Sequence, residues 1–384
     1  MEDAYSPHKI VRHLDVVQGI REGRPVRPVH VQLIISDTCN QSCAFCAYRD
    51  PSYSSSQLFY EIRPGGGGLR RDPDHAERDY NPHRTIPYAK VLEILDDCQA
   101  MDVSGLQLTG GGEPTVHPRF LDIAVATIDR GLALALVSNG VLLGKRFAKD
   151  PRFIPTFARA AWTRISIDAG TAETYARIRN VPVDHFAAAW DAVAALRRAS
   201  DHSRSPHRPV VGVGFVVTPD NWQEVGLAVQ RARSAGAHNI RISAQFSTDD
   251  ERRFATFHAE CAEMCRAVEA ESDEDFRVYN RFSEKLEDLR QGRPDHERCG
   301  YQFVTTYIGG DLSVYRCCVT SYNDTGFVGS LKERRFKDLW MSDERVATMA
   351  SFDATSCERC QFLTINNALD YMLRPDEPQH AAFV

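Results

Sequence analysis

The stretch Val29-His30-Val31-Gln32-Leu33-Ile34-Ile35-Ser36-Asp37-Thr38-Cys39-Asn40-Gln41-Ser42-Cys43-Ala44-Phe45-Cys46 decides how the rest of the chain is read. Its opening is a compact apolar run, which predicts a buried strand. Three cysteines in the pattern C-x3-C-x2-C follow at once. Thiolates so closely spaced can reach three irons of one cubane and leave the fourth iron without a protein ligand. An open iron is what a substrate-binding cluster requires, whereas an electron-transfer cluster takes four thiolates. Zinc is the competing occupant, but it calls for a fourth Cys or His close by, and the sequence offers none near Cys46.

Outward from this stretch, the chain has 384 residues, enough for one large domain and a smaller appendage. Hydrophobic residues make up 43% and charged residues 26%, the balance of a globular protein with a real core. No run of about 18 apolar residues is present, so no membrane span is expected. Residues 1–10 are mixed and polar, without the basic-then-apolar order of a signal peptide, which points to the cytoplasm. The net charge of -6 argues against a dedicated nucleic-acid binder, which would carry a basic face. In a reducing compartment, eleven cysteines are expected as metal ligands or reactive thiols rather than as a disulfide framework.

Strands are predicted over 29–35, 105–108, 132–137, 164–167, 210–217 and 239–243. Helical periodicity falls between them, over 88–101, 120–130, 151–160, 171–180, 185–199, 222–235 and 250–270. This alternation predicts an α/β protein with a parallel sheet, curled as a partial (β/α)6 TIM-like barrel, short of the eight units of a closed one. Residues 1–28 read as an N-terminal arm and 29–274 as the barrel. Within the barrel, 50–87 is rich in Ser, Gly, Pro and charge and reads as a flexible insert or a lid. From Asp275 the rhythm stops. Residues 275–384 hold five cysteines and a hairpin-like segment at 305–315, and read as a small second domain organised around a metal or cluster.

After the second predicted strand comes Gly110-Gly111-Gly112-Glu113-Pro114, where glycine lets the backbone approach a ligand closely. Joined to the cysteines and to Phe45 before the third of them, this sequence resembles the signature of the radical S-adenosylmethionine (SAM) superfamily. The resemblance covers about 29–270. It implies a [4Fe–4S] cluster on Cys39, Cys43 and Cys46 whose open iron chelates SAM, reductive cleavage to a 5′-deoxyadenosyl radical, and hydrogen abstraction from a substrate. It further implies that Gly110, Gly111, Gly112 and Glu113 meet the SAM ammonium, that Ser138, Asn139, Ser166 and Asp168 lie near SAM at strand ends, and that Arg241 faces its carboxylate. At the strand ends, ordinary turn chemistry is the alternative role. An external one-electron reductant of flavodoxin or ferredoxin type would be needed.

The C-terminal cysteines give a second set. Cys299 precedes the hairpin, Cys317 and Cys318 close it, and Cys357-Glu358-Arg359-Cys360 follows. Cys299, Cys317, Cys357 and Cys360 supply four ligands for one site, iron–sulfur or zinc. The arrangement resembles the Twitch and SPASM extensions of radical SAM enzymes, in a single-cluster form, because no cysteine follows Cys360. Cys318 is then a spare thiol or a hydrogen donor. Cys98, Cys261 and Cys265 fall on helices and read as core.

Two clusters together imply oxidative modification, by dehydrogenation or bond formation, of a peptide side chain or of a small natural-product molecule. The roughly 30 residues before the first strand are expected to be too few for a fused leader-peptide recognition domain, which a separate partner protein could supply instead. Redox-neutral epimerisation with Cys318 as donor is an alternative, as is a non-catalytic iron–sulfur or zinc protein.

Overall fold

The structure is a computed structural model, and it describes residues 6–48, 85–205, 208–245 and 254–374. Among these, ten strands form one sheet: β1 (His30–Leu33), β2 (Gly105–Leu108), β3 (Ala133–Ser138), β4 (Trp162–Ser166), β5 (Val210–Val217), β6 (Asn239–Ala244), β7 (Arg277–Arg281), β8 (Thr305–Ile308), β9 (Ser313–Tyr315) and β10 (Phe327–Ser330). Their order is β10-β9-β8-β1-β2-β3-β4-β5-β6-β7. From β1 to β7 each strand pairs in parallel with the next, and β8 joins the other flank of β1, also in parallel. β9 and β10 continue antiparallel. The α/β class and the mostly parallel sheet are as the alternation predicted. Among the described residues the outermost strands, β7 and β10, do not pair with each other.

Burial follows from strand periodicity. Val31, Leu33 and Ile35 are fully buried in the main core with Leu106 and Leu108, together with Val91, Ile94, Leu95 and Cys98 of helix Tyr88–Ala100. Side chains alternate along a strand, so Ile34 points the other way. There it joins a separate cluster with Tyr307, Tyr315 and Tyr322. One face of the sheet therefore builds the core, and the opposite face carries the polar chemistry. Cys98, Cys261 and Cys265 are fully buried.

Two features depart from the sequence reading. A seventh parallel strand, β7, follows β6, and helix Phe282–Gln291 follows it, so the rhythm runs past Asp275. The pentapeptide Arg277-Val278-Tyr279-Asn280-Arg281 has only Val278 buried, because an outermost strand is covered less than a central one, and so it lacks an apolar signature. Second, the hairpin at 305–315 is present as β8 and β9, but it is hydrogen-bonded onto β1, because that strand offers its second edge. The segment after the hairpin is thereby drawn beside the loop that leaves β1, where Tyr322 donates to Asp37 Oδ1. Most of the insert at 50–87 lies outside the described residues. Its end returns to the same place, where Thr85 bridges Ser36 and the Ile86 N–H donates to the Ile35 carbonyl at 3.0 Å.

Candidate active site

The loop carrying Cys39, Cys43 and Cys46 leaves β1 and is pinned from two sides. On one side, the Gly112 N–H donates to Ser36 O (3.2 Å) and the Glu113 N–H to Thr38 O (2.9 Å). The approach is so close that a Cβ on Gly112 would stand 2.2 Å from Thr38 O, and one on Gly111 2.7 Å from Asp37 Oδ1. Only glycine fits there. On the other side, the Ser42 N–H donates to Arg179 O (3.1 Å) and the Ala44 N–H to Ile178 O (2.9 Å). Helix Ala172–Arg179 is capped by the Thr171 hydroxyl at its start and stopped by Asn180 at φ 50°. Asn tolerates that left-handed conformation. The cap sets Arg179 on the last turn, beside the cysteine loop.

Arg179 is 3% exposed and uses its guanidinium fully. It donates from Nε to Ile167 O (3.2 Å), from Nη1 to Gln41 Oε1 (2.6 Å) and Cys43 Sγ (3.7 Å), and from Nη2 to Ser166 O (2.8 Å) and Asp168 Oδ2. Burial works against its charge, but Cys43, Asp168, Tyr175 and Cys39 outweigh burial and hold it protonated. Burial, then Glu113 and the neighbouring Cys43 and Cys46, push the Cys39 thiol up to about 12. Thiols held protonated in this way give up their protons to iron on binding. Three neighbouring thiols on one loop, a fixed cation at one of them and a glycine loop pressed against them fit an anionic cluster with SAM. Among the described residues no three His, Cys, Asp or Glu side chains converge on a single metal ion. A cubane is a wider target, because each thiolate bonds a different iron.

The strand-end residues form a network with one another. Glu113 is 3% exposed. Its Oε1 accepts from Thr115 N (3.1 Å), Thr115 Oγ1 (2.6 Å) and Ser138 Oγ (2.7 Å), and its Oε2 from Asn139 N (2.7 Å). Asn139 Nδ2 reaches Asn40 Oδ1 in the cysteine loop (2.7 Å). The Glu113 carboxylate therefore ties the glycine loop to the end of β3. Asp168, at φ 58°, accepts from Arg179 and from Val216 N (2.7 Å), and Arg241 adds positive charge beside it.

Cys299, Cys317, Cys357 and Cys360 line one cavity, together with Arg316, Tyr301 and Asn366. Burial raises all four thiols, Cys357 to about 12 and Cys360 to about 11. Asn366 Nδ2 donates to Cys360 Sγ (3.6 Å), the Phe362 N–H donates to the same sulfur (3.4 Å), and Tyr301 stacks on Phe362 with centroids 4.0 Å apart. Cys318 does not line this cavity. It packs against the tyrosine cluster, and Gln361 Nε2 donates to its sulfur at 3.0 Å. That cluster spans the gap between the two thiol sets. Tyr48, just past Cys46, meets Tyr307 hydroxyl to hydroxyl (2.8 Å), Tyr307 donates to Gly110 O (3.3 Å), and Tyr322 donates to Asp37 Oδ1 (2.5 Å).

Sequence reading missed Arg179, Gln41, Arg316 and Asn366, and it missed the tyrosine cluster. Gln41 lies between Cys39 and Cys43 and Arg316 directly before Cys317, but neither residue type marks a role there, while Arg179, Asn366 and most of the tyrosines reach their sites from distant parts of the chain. A buried arginine one helix beyond Asp168 leaves no periodic or spacing signal.

A cysteine-loop, glycine-loop site at the strand ends of a parallel β/α sheet defines a class of cluster-dependent enzymes. The sequence pattern of the radical SAM superfamily matches residues 33–250, and the chain belongs to that family. Its members are enzymes that use SAM with a [4Fe–4S] cluster. The tungsten-containing aldehyde ferredoxin oxidoreductase cofactor-modifying protein of Pyrococcus furiosus is 29% identical over 160 residues, which are 41% of this chain and 43% of that protein. The match thus spans less than half of that relative. Among solved structures, SuiB of Streptococcus suis bound to its precursor peptide SuiA is similar, with a TM-score of 0.58 and 11% identity over 91% of this chain and 73% of that one. So is anSMEcpe with bound AdoMet, at TM-score 0.55 and 13% identity over 91% and 92% of the two chains. Among the described residues no helix is long and apolar enough to cross a membrane.

Proposed function

We propose that this chain is a two-cluster radical SAM oxidoreductase of the maturase type, with 275–384 serving as a single-cluster Twitch-like extension. It would oxidise a peptide side chain or a small natural-product molecule by dehydrogenation or bond formation. One observation carries this reading: Cys299, Cys317 and the Cys357/Cys360 pair, from three separate segments, line one cavity. Cys39, Cys43 and Cys46 would hold the SAM-binding cluster, and the four cavity thiols the auxiliary one. When bound, these groups would supply radical and redox chemistry: reductive cleavage of SAM, driven by one electron from a flavodoxin- or ferredoxin-type donor, for hydrogen-atom abstraction, and an acceptor for one electron from the substrate radical, whose proton would leave to solvent.

The chain's own part is placement. Arg179 fixes the cysteine loop and sets a cation at Cys43. Gly110–Gly112 admit a ligand to backbone carbonyls, and the Glu113 network holds them rigid. The peptide alternative draws support from the fold neighbours bound to peptides, and the small-molecule alternative from the cofactor-modifying relative. The test is iron content and SAM turnover after anaerobic reconstitution. About eight irons per chain are expected, about four after Cys39, Cys43 and Cys46 are all changed to Ala, with 5′-deoxyadenosine formed only by the parent protein. Full iron retention in the triple variant would refute the assignment.

Epimerisation is the second reading, favoured by the position of Cys318 outside the cavity and against the tyrosine cluster. It expects solvent deuterium in the product, and Cys318→Ala would abolish that incorporation.

A further inference from the structure

The cysteine-lined cavity holds one further polar side chain with no use in the chain's own packing. His296 lines it. Its side chain is 8% exposed, and both ring nitrogens are buried without a hydrogen-bond partner. The Asp295 carboxylate stands 3.8 Å from Nδ1, too far for a hydrogen bond, and is itself 80% exposed. Other polar groups of the cavity are committed. Arg316 donates to Gln302 Oε1 (2.6 Å), Thr325 O (3.2 Å) and Thr348 O (3.2 Å), and its guanidinium lies 4.2 Å over the Phe352 ring. Asn366 is shared between Tyr301 N and Cys360 Sγ. An imidazole always carries at least one N–H, and leaving that donor without an acceptor in a buried site is costly. A buried imidazole beside four thiols is a donor waiting for an acceptor.

We propose that His296 donates a hydrogen bond to a sulfur of the auxiliary cluster and thereby raises that cluster's reduction potential. This rests on the reading of the cavity as an iron–sulfur site. Four thiolates already satisfy four irons, so the imidazole is left to act as donor and not as ligand. Cluster sulfurs gain negative charge on one-electron reduction, and an N–H directed at them stabilises the reduced form. A site that must accept an electron from a substrate radical gains driving force from such a donor.

The experiment uses the full chain with Cys39, Cys43 and Cys46 changed to Ala, so that only the auxiliary cluster remains. Three forms are compared: His296 intact, His296→Gln (a donor is kept) and His296→Leu (none). Each is reconstituted anaerobically, its iron counted, and its midpoint potential read by EPR-monitored titration. All three should hold about four irons. His296→Leu should shift the midpoint to more negative potential by about tenfold in the reduction equilibrium, about 59 mV for one electron, and His296→Gln should recover much of that. Equal midpoints at equal iron would overturn this inference alone. Iron lost from both His296 variants would make His296 a ligand and overturn the donor role. Zinc, or no iron, in the form with His296 intact would overturn the cluster reading itself, and this inference with it.

Discussion

Cys39, Cys43 and Cys46 sit on one short loop, pinned by backbone hydrogen bonds to the glycine loop and to helix Ala172–Arg179. Cys299, Cys317, Cys357 and Cys360 meet only after β8 has docked on β1 and helix Leu363–Leu373 has brought Asn366 against two of the thiols. The first site closes a small loop and costs little chain entropy, while the second gathers segments far apart in the chain. A site of the first kind can stand ready without its cluster. A site of the second kind owes part of its stability to what it binds, because binding and folding are then coupled.

The largest effect should come from the cysteines themselves. Cys39→Ala is expected to reduce SAM cleavage to background while shifting urea unfolding little. Cys357→Ala should cost on the order of several kcal/mol in unfolding free energy, as the bound group is lost. Equal destabilisation by the two variants would break the contrast. Arg179→Gln comes next. It leaves Asp168 buried without its cation, a loss of about 3–5 kcal/mol, and it also removes the donor at Cys43. Arg179→Lys should restore part of the stability but not the fork of hydrogen bonds, measured by urea unfolding and 5′-deoxyadenosine yield. If Arg179→Gln matched the parent in both, the loop would not depend on this clamp. Glu113→Gln should cost about 1.5–3 kcal/mol, since four donors lose a charged acceptor. Iron in the C-terminal site should be unchanged in that variant, and its loss would show the two regions to be coupled through β3.

The smallest expected effect is a pH dependence at the strand the two regions share. Burial holds His30, on β1, down at about 4. The unfolded chain, with its histidine near 6.5, takes up the proton first, so stability is full above about 6.5 and declines as pH falls toward 4. The ring is half-buried, so the loss is on the order of 1–2 kcal/mol. His30→Asn should flatten that acid limb in urea titrations across this range, and an unchanged limb would assign it to other groups.

The strands β1 to β6 were legible in the sequence because each carries apolar residues, continuous or alternating with polar ones, that are buried on its core face. The sequence also marked the cysteine loop and Gly110–Gly112, because their members are neighbours in the chain and short spacing survives in one dimension. β7 escaped notice because Val278 is its only buried residue. The place of the C-terminal hairpin could not be read either, since a pairing edge is chosen by which strand is left free. Arg179 over Cys43, the Glu113 network, His296 in the cysteine cavity and the tyrosines between the two thiol sets were decided by tertiary structure alone. Each is a contact between side chains distant in sequence. Such contacts are set by how the helices and hairpin pack on the sheet, and a local pattern carries no record of that packing.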